Sequence, residues 1–333
     1  MIPSRILGTG HFLPENVVTN FDIEKMMETT NEFIVTRTGV RERRHAGPET
    51  SASDLGAQAA HAALEDAGLK PGDIDLLITN TITPDHHDPG CGFFLQAKLD
   101  MPGIPVLDMK AQCAGLIYGM SIADHFIKAG TYRNVLIVCS EVLSKRIDCS
   151  NEGRNIGILL GDGAGAAVVG VSDDENARVV STILHADGTH AKALYTAAPG
   201  TGQGKMDFID RSDVDAGRVH FRMDGRVVYE NGVAGMASAA NESLEVNGLT
   251  LDDIDILIPH QANMRMLEAV VEKIGIELEK VFINVESYGN MASACLPIAL
   301  DQARKTGRVN PGDTALLVAF GSGFVWASAL VRM

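Results

Sequence analysis

The sequence carries a displaced copy of itself. Residues 61–78 read HAALEDAGLKPGDIDLLI and residues 241–258 read NESLEVNGLTLDDIDILI, with nine identities in eighteen positions at an offset of 180. At the same offset, Val135-Leu136-Ile137-Val138 falls on Ala315-Leu316-Leu317-Val318. Further on, the run Gly163 to Val168 shares its glycine spacing and apolar tail with Gly321 to Trp326, now at an offset of 158, so an insertion is expected in the first copy between these landmarks. Units this long are halves of a domain pair, because solenoid repeats span only a few tens of residues. The expected division is an N-terminal half, residues 1–172, and a C-terminal half, residues 173–333.

Each copy reads as an amphipathic helix, a Gly-Leu turn, an Asp-Ile-Asp lead-in and an apolar strand. A second strand running into a helix follows, then a third strand and a Gly-rich turn with a closing strand. Continuous apolar runs such as Leu76 to Ile78 and Leu136 to Val138 suit strands covered on both faces by helices. The expected fold class is therefore α/β, two halves packed face to face, each with a mixed sheet, and functional residues at strand ends near the junction. The run Gly161 to Gly165 lacks the GxxxxGK[ST] and GxGxxG patterns of phosphate loops, and a tight turn beside the active site is expected there.

Composition removes several classes of function. A formal charge of −15 repels a phosphate backbone and argues against nucleic-acid binding as the main role. Met1 to Pro14 lacks the basic start and apolar core of a signal peptide, and the most apolar tract, Ile156 to Val171, is broken by Asp162 and five glycines. A cytoplasmic protein without a membrane span is expected. Five cysteines, Cys91, Cys113, Cys139, Cys149 and Cys295, with no CxxC pair, argue against a disulfide framework or structural zinc. His86-His87-Asp88 are adjacent on a loop with no third cluster, so no metal site is expected.

Chemistry is most readily placed at the strand-to-helix junctions. Pro105 to Met109 reads as a strand and Ala114 to Lys128 as a helix, with Cys113 between them. Unpaired N–H groups and the helix dipole there favour thiolate over thiol, which suits a nucleophile, while a small cysteine packed at the junction is the alternative that location alone leaves open. Moving 180 residues from Cys113 lands on Ser293, so the second copy keeps the junction without the thiol. Near it lies Asn290, a helix cap or a donor to a ligand carbonyl. His260, in Pro259-His260-Gln261-Ala262-Asn263 after the strand Asp255 to Ile258, is a structural histidine or a catalytic one held by the backbone.

A Cys in one half with a His and an Asn in the other resembles the ketoacyl-acyl carrier protein synthase III branch of the thiolase-like superfamily. The resemblance runs through Arg37 to Arg43, Gln112-Cys113-Ala114-Gly115, Gly161 to Ala167, Pro259 to Asn263 with Arg265, Gly289-Asn290, and Phe320-Gly321-Ser322-Gly323-Phe324, over nearly the whole chain. It implies a thiolase-like α-β-α-β-α sandwich and a decarboxylating condensation of an acyl-CoA with a malonyl thioester, with no cofactor beyond these substrates. In that family Cys113 would carry the acyl group, and His260 and Asn290 would donate to the malonyl thioester oxygen. The amides of Cys113 and Ser322 would hold the acyl-transfer oxyanion; the family usually has Gly at the latter position.

Phe33 and Arg154 match the aromatic and guanidinium pair around the adenine of coenzyme A, with Phe33 in place of the more usual Trp. Arg37, Arg226, Asn263 and Arg265 match the mouth of the pantetheine tunnel, and these arginines are either part of a docking patch for an acidic carrier protein or ordinary surface ion pairs. Homodimerisation is a family expectation. Short-chain members often have Phe where Asp88 stands, which sets an acetyl starter in question. Within the family, Thr83 to Pro89, Glu141 to Arg146, Asp148-Cys149-Ser150 and Ser322 resemble more closely the condensing enzymes of alkylquinolone biosynthesis, which take an anthraniloyl-type starter. The rival of a different class is a non-catalytic acyl-CoA-binding subunit that has kept the fold.

Overall fold

A computed structural model describes residues 2–174 and 176–333 of the chain. The first sheet is built from β1 (Ser4–Phe12), β2 (Leu76–Asn80), β3 (Val106–Met109), β4 (Asn134–Val142) and β5 (Asp162–Val171), in the order β1-β5-β4-β2-β3. The second contains β6 (Arg178–Ala186), β7 (Ile256–Pro259), β8 (Thr314–Gly321) and β9 (Val325–Arg332), in the order β7-β8-β9-β6. β2 runs parallel to β3 and β4, and β5 turns antiparallel. β7 and β8 repeat the parallel pairing and β9 the reversal. An isolated parallel bridge, Leu257 to Val281, stands where β2 pairs with β3, so the missing fifth strand survives as one residue.

Strand alternation makes the layers. In β4, Ile137 faces the middle of the molecule while Leu136 and Val138 face outward; in β8, Leu317 faces inward while Leu316 and Val318 face outward. The six main helices are α1 (Asn31–Thr38), α2 (Ala52–Ala67), α3 (Gly115–Lys128), α4 (Gly225–Asn247), α5 (Met264–Ile274) and α6 (Cys295–Lys305). Leu116, Ile117 and Met120 of α3 and Leu296, Ala299 and Leu300 of α6 fill the space between the sheets. α2 covers the outside of the first sheet, and α4 with α5 the outside of the second. The result is five layers, α-β-α-β-α, with two buried faces per sheet, which is why the strands read as unbroken apolar runs.

The repeat extends to helix ends. α2 stops at Gly68 (φ 66°) and α4 at Gly248 (φ 64°), both left-handed, with Leu69 N–H donating to Leu64 O (2.9 Å) and Leu249 N–H to Leu244 O (3.0 Å). This is the Schellman stop that a Gly-Leu pair permits.

Two sequence-based expectations are corrected. The stretch Gly161 to Gly165 is not a tight turn: Gly161 leads directly into β5, and Asp162 to Gly165 are paired inside the sheet. Its glycines are there because the second half presses against them. A Cβ on Gly163 would lie 2.8 Å from Met291 Sδ, and one on Gly165 would lie 2.7 Å from Pro297 Cγ and 2.8 Å from Ile298 N. The offset of 158 is also replaced. Val138 pairs with Ala166 as Val318 pairs with Ser328, so β5 maps on β9 at an offset of 162 (166 to 328), and the shared glycine spacing is coincidental. The expected insertion is present: residues 143–161 join β4 to β5, where Ser322 to Phe324 suffice between β8 and β9. Gly165→Ala is expected to destabilise the fold by about 1–3 kcal/mol through overpacking against α6, seen as a lowered denaturant midpoint with an unchanged slope.

Candidate active site

Cys113 lies in the single turn Gln112–Ala114 that leads into α3, and Ser293 lies in the matching turn Ala292–Ala294 that leads into α6. The residues just before them, Gln112 (φ 50°) and Ala292 (φ 45°), are both left-handed, a strained conformation for a side-chain-bearing residue. In the first half the strain is held by Asn80, at the end of β2. Its Nδ2 donates to Gln112 O (3.1 Å) and its Oδ1 accepts from Ala111 N–H (2.8 Å), gripping the backbone just before Cys113. Gly321 closes the other side: a Cβ there would lie 2.8 Å from Cys113 N. The amide of Cys113 and the turn through Ser322 therefore meet at one small space.

Asn290 is fixed from both directions. Its backbone N–H donates to Leu159 O (2.7 Å) and its carbonyl accepts from Gly161 N–H (3.0 Å), joining it to the first half. Its Oδ1 accepts from Ala292 N–H (2.8 Å), and the Cys295 thiol lies 3.7 Å from the same oxygen. The side chain thus does cap its own turn, and because its oxygen is engaged, its NH2 is the end left to donate outward. His260 is buried, with its backbone N–H on Val318 O (2.8 Å). Gln261 anchors the segment by donating to Pro259 O (2.8 Å) and Phe282 O (3.1 Å) and accepting from Asn284 N–H (2.9 Å). The His260 Nδ1 has no hydrogen-bond partner among the described residues, and burial lowers the ring to about 4, so it is neutral at physiological pH. Cys295 links the three positions: its sulfur is 3.7 Å from both Gln261 O and Asn290 Oδ1, and its proximity helps raise the Cys113 thiol.

The expectation of a thiolate at Cys113 does not hold for the unliganded site. Burial first, then Cys295 and Glu141, push the thiol well above its ordinary value, and desolvation outweighs the dipole of one helix end. Cys91, Cys139 and Cys295 are buried more completely and Cys149 is exposed, so Cys113 is the partly accessible thiol. Next to it is Glu141, wholly buried, a residue that sequence reasoning noted only as part of a resemblance.

A cavity of about 730 Å³ has Ile82, Gln112, Val142, Arg146, Phe221 and Ser322 among its walls. Ile82, Phe221 and Cys113 all pack against the buried cluster of Leu143, Leu160 and Ala292. The Arg146 guanidinium lies 4.4 Å over the Phe221 ring and donates to Ile82 O (2.9 Å) and Thr196 Oγ1 (2.8 Å). The residues matched to coenzyme A lie elsewhere. Arg154 and Arg37 approach the Phe33 ring at 5.1 and 5.6 Å, and Met264, at the start of α5, abuts Gly39 just after α1, which brings Asn263 and Arg265 beside Arg37. Asn263 caps α5 through Met266 N–H (2.9 Å). Arg226 is exposed and pairs with Glu230 (2.8 Å), the ordinary surface role. His86 and His87 face different aromatic rings, Phe94 and Phe208, and among the described residues no group of three His, Cys, Asp or Glu is placed to hold a metal. No helix among them is long and apolar enough to cross a membrane.

Comparison with known proteins is consistent along the chain. Residues 107–188 match the family described as 3-oxoacyl-[acyl-carrier-protein] synthase III, and residues 244–333 match its C-terminal counterpart. A β-ketoacyl-[acyl-carrier-protein] synthase III from Caldanaerobacter subterraneus subsp. tengcongensis is 44% identical over 331 residues, covering 99% of this chain and 98% of that protein. The crystal structure of the 3-oxoacyl-[acyl-carrier-protein] synthase III from Aquifex aeolicus VF5 superposes with a TM-score of 0.89 at 39% identity, covering 99% and 100% of the two chains. The priming β-ketosynthase of the R1128 polyketide pathway superposes with the same score at 36% identity, covering 99% and 96%.

Proposed function

Because the chain belongs to the β-ketoacyl-[acyl-carrier-protein] synthase III family, acyltransferases of the thiolase fold, we propose that Cys113 is its acyl-carrying thiol and that His260 and Asn290 bind the malonyl thioester oxygen. The overall reaction is a decarboxylating Claisen condensation of an acyl-CoA starter with malonyl-acyl carrier protein, as in the first step of fatty acid synthesis. In the first half-reaction Cys113 sulfur attacks the thioester carbonyl, the bond to coenzyme A sulfur breaks, and coenzyme A leaves with the proton lost by the thiol. The amides of Cys113 and Ser322 supply N–H groups to the oxyanion. In the second, the bond to the malonyl carboxylate breaks, carbon dioxide leaves, and the electron pair forms an enolate. The enolate carbon attacks the acyl-Cys113 carbonyl and expels the Cys113 sulfur, which takes up one proton from solvent to restore the thiol.

The observation that carries this reading is a pair of neutral donors in the second half, the Asn290 NH2 and the imidazole N–H of His260, with the Cys113 thiol supplied by the first. A ring held near a pKa of 4 by burial lends a hydrogen bond to the enolate, whereas an imidazolium would be acidic enough to protonate and quench it. The direct test offers acyl-CoA alone and maps the mass increment by peptide mass spectrometry. It should fall on Cys113, and an acyl group on any other residue overturns the assignment.

Phe33 and Arg154, with Arg37, Asn263 and Arg265, form the coenzyme A and carrier rim in this reading. Phe33→Ala is expected to raise the KM for acyl-CoA roughly three- to tenfold with kcat little changed, the worth of one stacking contact. Arg226, engaged with Glu230, is its weakest member. The open edge of the first sheet at β3, with Leu107 exposed, and the exposed Phe93 support a homodimer in this reading. Acyl-CoA and carrier substrates of this kind favour a cytoplasmic location, and the two half-reactions as written call for no prosthetic group.

A second reading, a medium-chain or aromatic starter condensed with malonyl on coenzyme A or a carrier, is favoured by the 730 Å³ cavity whose walls include Gln112, the residue before Cys113, and Ser322. Its Arg146–Phe221 wall has more room and polarity than an acetyl group uses. Incubation with a mixed acyl-CoA pool followed by mass analysis of the Cys113 peptide decides: a predominant acetyl adduct rejects this reading.

A further inference from the structure

Glu141 is fully buried and, among the described residues, has no ion pair. Its carboxylate accepts from Ser293 Oγ (2.5 Å), Thr83 Oγ1 (2.8 Å), Thr81 Oγ1 (3.2 Å) and Ile82 N–H (3.2 Å), while the nearby Arg146 guanidinium spends its hydrogen bonds on Ile82 O and Thr196. Three of these donors belong to the first half. The fourth, Ser293, belongs to the second, occupies the position equivalent to Cys113, and lies in the turn that begins two residues after Asn290. The Asn290 amide is fixed by the N–H of Ala292, the residue before Ser293. A displacement of Ser293 is therefore transmitted to Asn290 through one rigid turn.

We propose that Glu141 is a positioning residue, which through Ser293 locks the Asn290 turn against the Cys113 turn and so serves decarboxylation and condensation rather than acyl transfer. The inference rests on the assignment of Cys113 and Asn290 above. A buried carboxylate is costly, and a fully apolar contact at this seam would hold the halves together at less cost. What the carboxylate adds is direction: it accepts from hydroxyls of both halves at once and fixes their rotors. Its position also accounts for part of the raised Cys113 thiol, because a negative charge beside the sulfur opposes thiolate formation. The other ionisable groups facing Glu141 are the Cys139 and Cys295 thiols and the Arg146 guanidinium.

Glu141→Gln and Ser293→Ala, in the full-length protein, are to be compared with the unsubstituted protein in two separate half-reactions: acylation of Cys113 by acyl-CoA, and malonyl-dependent release of carbon dioxide. Both variants should acylate within about threefold of the unsubstituted rate, or faster for Glu141→Gln, and lose roughly tenfold or more in kcat for the second step with little change in KM. In Glu141→Gln, and not in Ser293→Ala, the pH profile of Cys113 alkylation should move to lower pH by roughly one unit, because only the first substitution removes the charge, whereas loosening of the seam would rehydrate the thiol and shift both. Equal losses in both half-reactions, or a second step within twofold of normal in both variants, overturn the proposal. If Glu141→Gln does not fold, Ser293→Ala carries the comparison alone, since it removes one oxygen. Failure of the unsubstituted protein to acylate Cys113 would instead sink the site assignment.

Discussion

Cys113→Ala is expected to slow condensation by roughly 10^4-fold or more, because it removes the atom to which the acyl group is transferred, and no neighbouring group replaces a nucleophile that works as part of a unit. The buried thiols do not substitute: Cys295 is fully enclosed, pushed up to about 12 by burial, and committed to Met291 N–H at 3.1 Å. The variant should fold normally, since one sulfur is lost from a partly accessible position and the turn is held by Asn80 and not by the side chain. Malonyl decarboxylation should survive in part, because its two donors are untouched. Steady-state product formation with saturating acyl-CoA is the measurement. Product within a hundredfold of normal would falsify the acyl-Cys113 route, and intact decarboxylation beside lost condensation excludes a general loss of structure. It also excludes the non-catalytic acyl-CoA-binding alternative.

His260→Ala should lose roughly 10^2- to 10^3-fold in malonyl decarboxylation, the usual cost of one oxyanion donor, while Cys113 acylation stays within a few-fold. A comparable loss in acylation would mean that the ring acts mainly on the thiol. The pH dependence separates the two as well. With the folded ring near 4 and the unfolded ring near its ordinary 6.5, the unfolded chain binds the extra proton between those values. Stability from this site is complete above about pH 6.5 and is lost as pH falls through the window toward 4. His260 should therefore add no inflection at 6.5 to the decarboxylation rate of the folded enzyme; the group near the site that titrates in this range is Glu141, pushed up to about 7 by burial. An inflection at 6.5 that is absent from His260→Ala would show that the ring titrates in the working enzyme and acts as an acid or base.

Much of the architecture was legible because the chain states it twice. The Gly68–Leu69 and Gly248–Leu249 stops and the apolar strands Leu76–Asn80 and Ile256–Pro259 stand at an offset of 180 because each copy solves the same packing problem. Local signals located Cys113 and His260 after strands, whereas Asn290, expected at the same kind of junction, follows the short helix Val285–Tyr288. The glycines of β5 were misread, because a glycine required by an approaching helix 130 residues away looks in sequence like a glycine required by a turn. Asn80, Gln261 and Glu141 were passed over as supports for the site, each being a polar residue beside an apolar strand whose partners come from distant segments.

The sequence by itself determined the halves, their α/β pattern, the family and the residue types available for acyl transfer, since these depend on periodicity and motifs that are local in the chain. Tertiary structure alone decided the protonation and the relations of those groups. Burial raised the Cys113 thiol against its helix dipole and neutralised His260, and the bond from Ala292 N–H to Asn290 Oδ1 left the NH2 as the end that donates. The physical reason is that desolvation and hydrogen-bond partners are set by what packs around a group, and here that packing comes from residues up to 213 positions apart, as between Ser293 Oγ and Asn80 O.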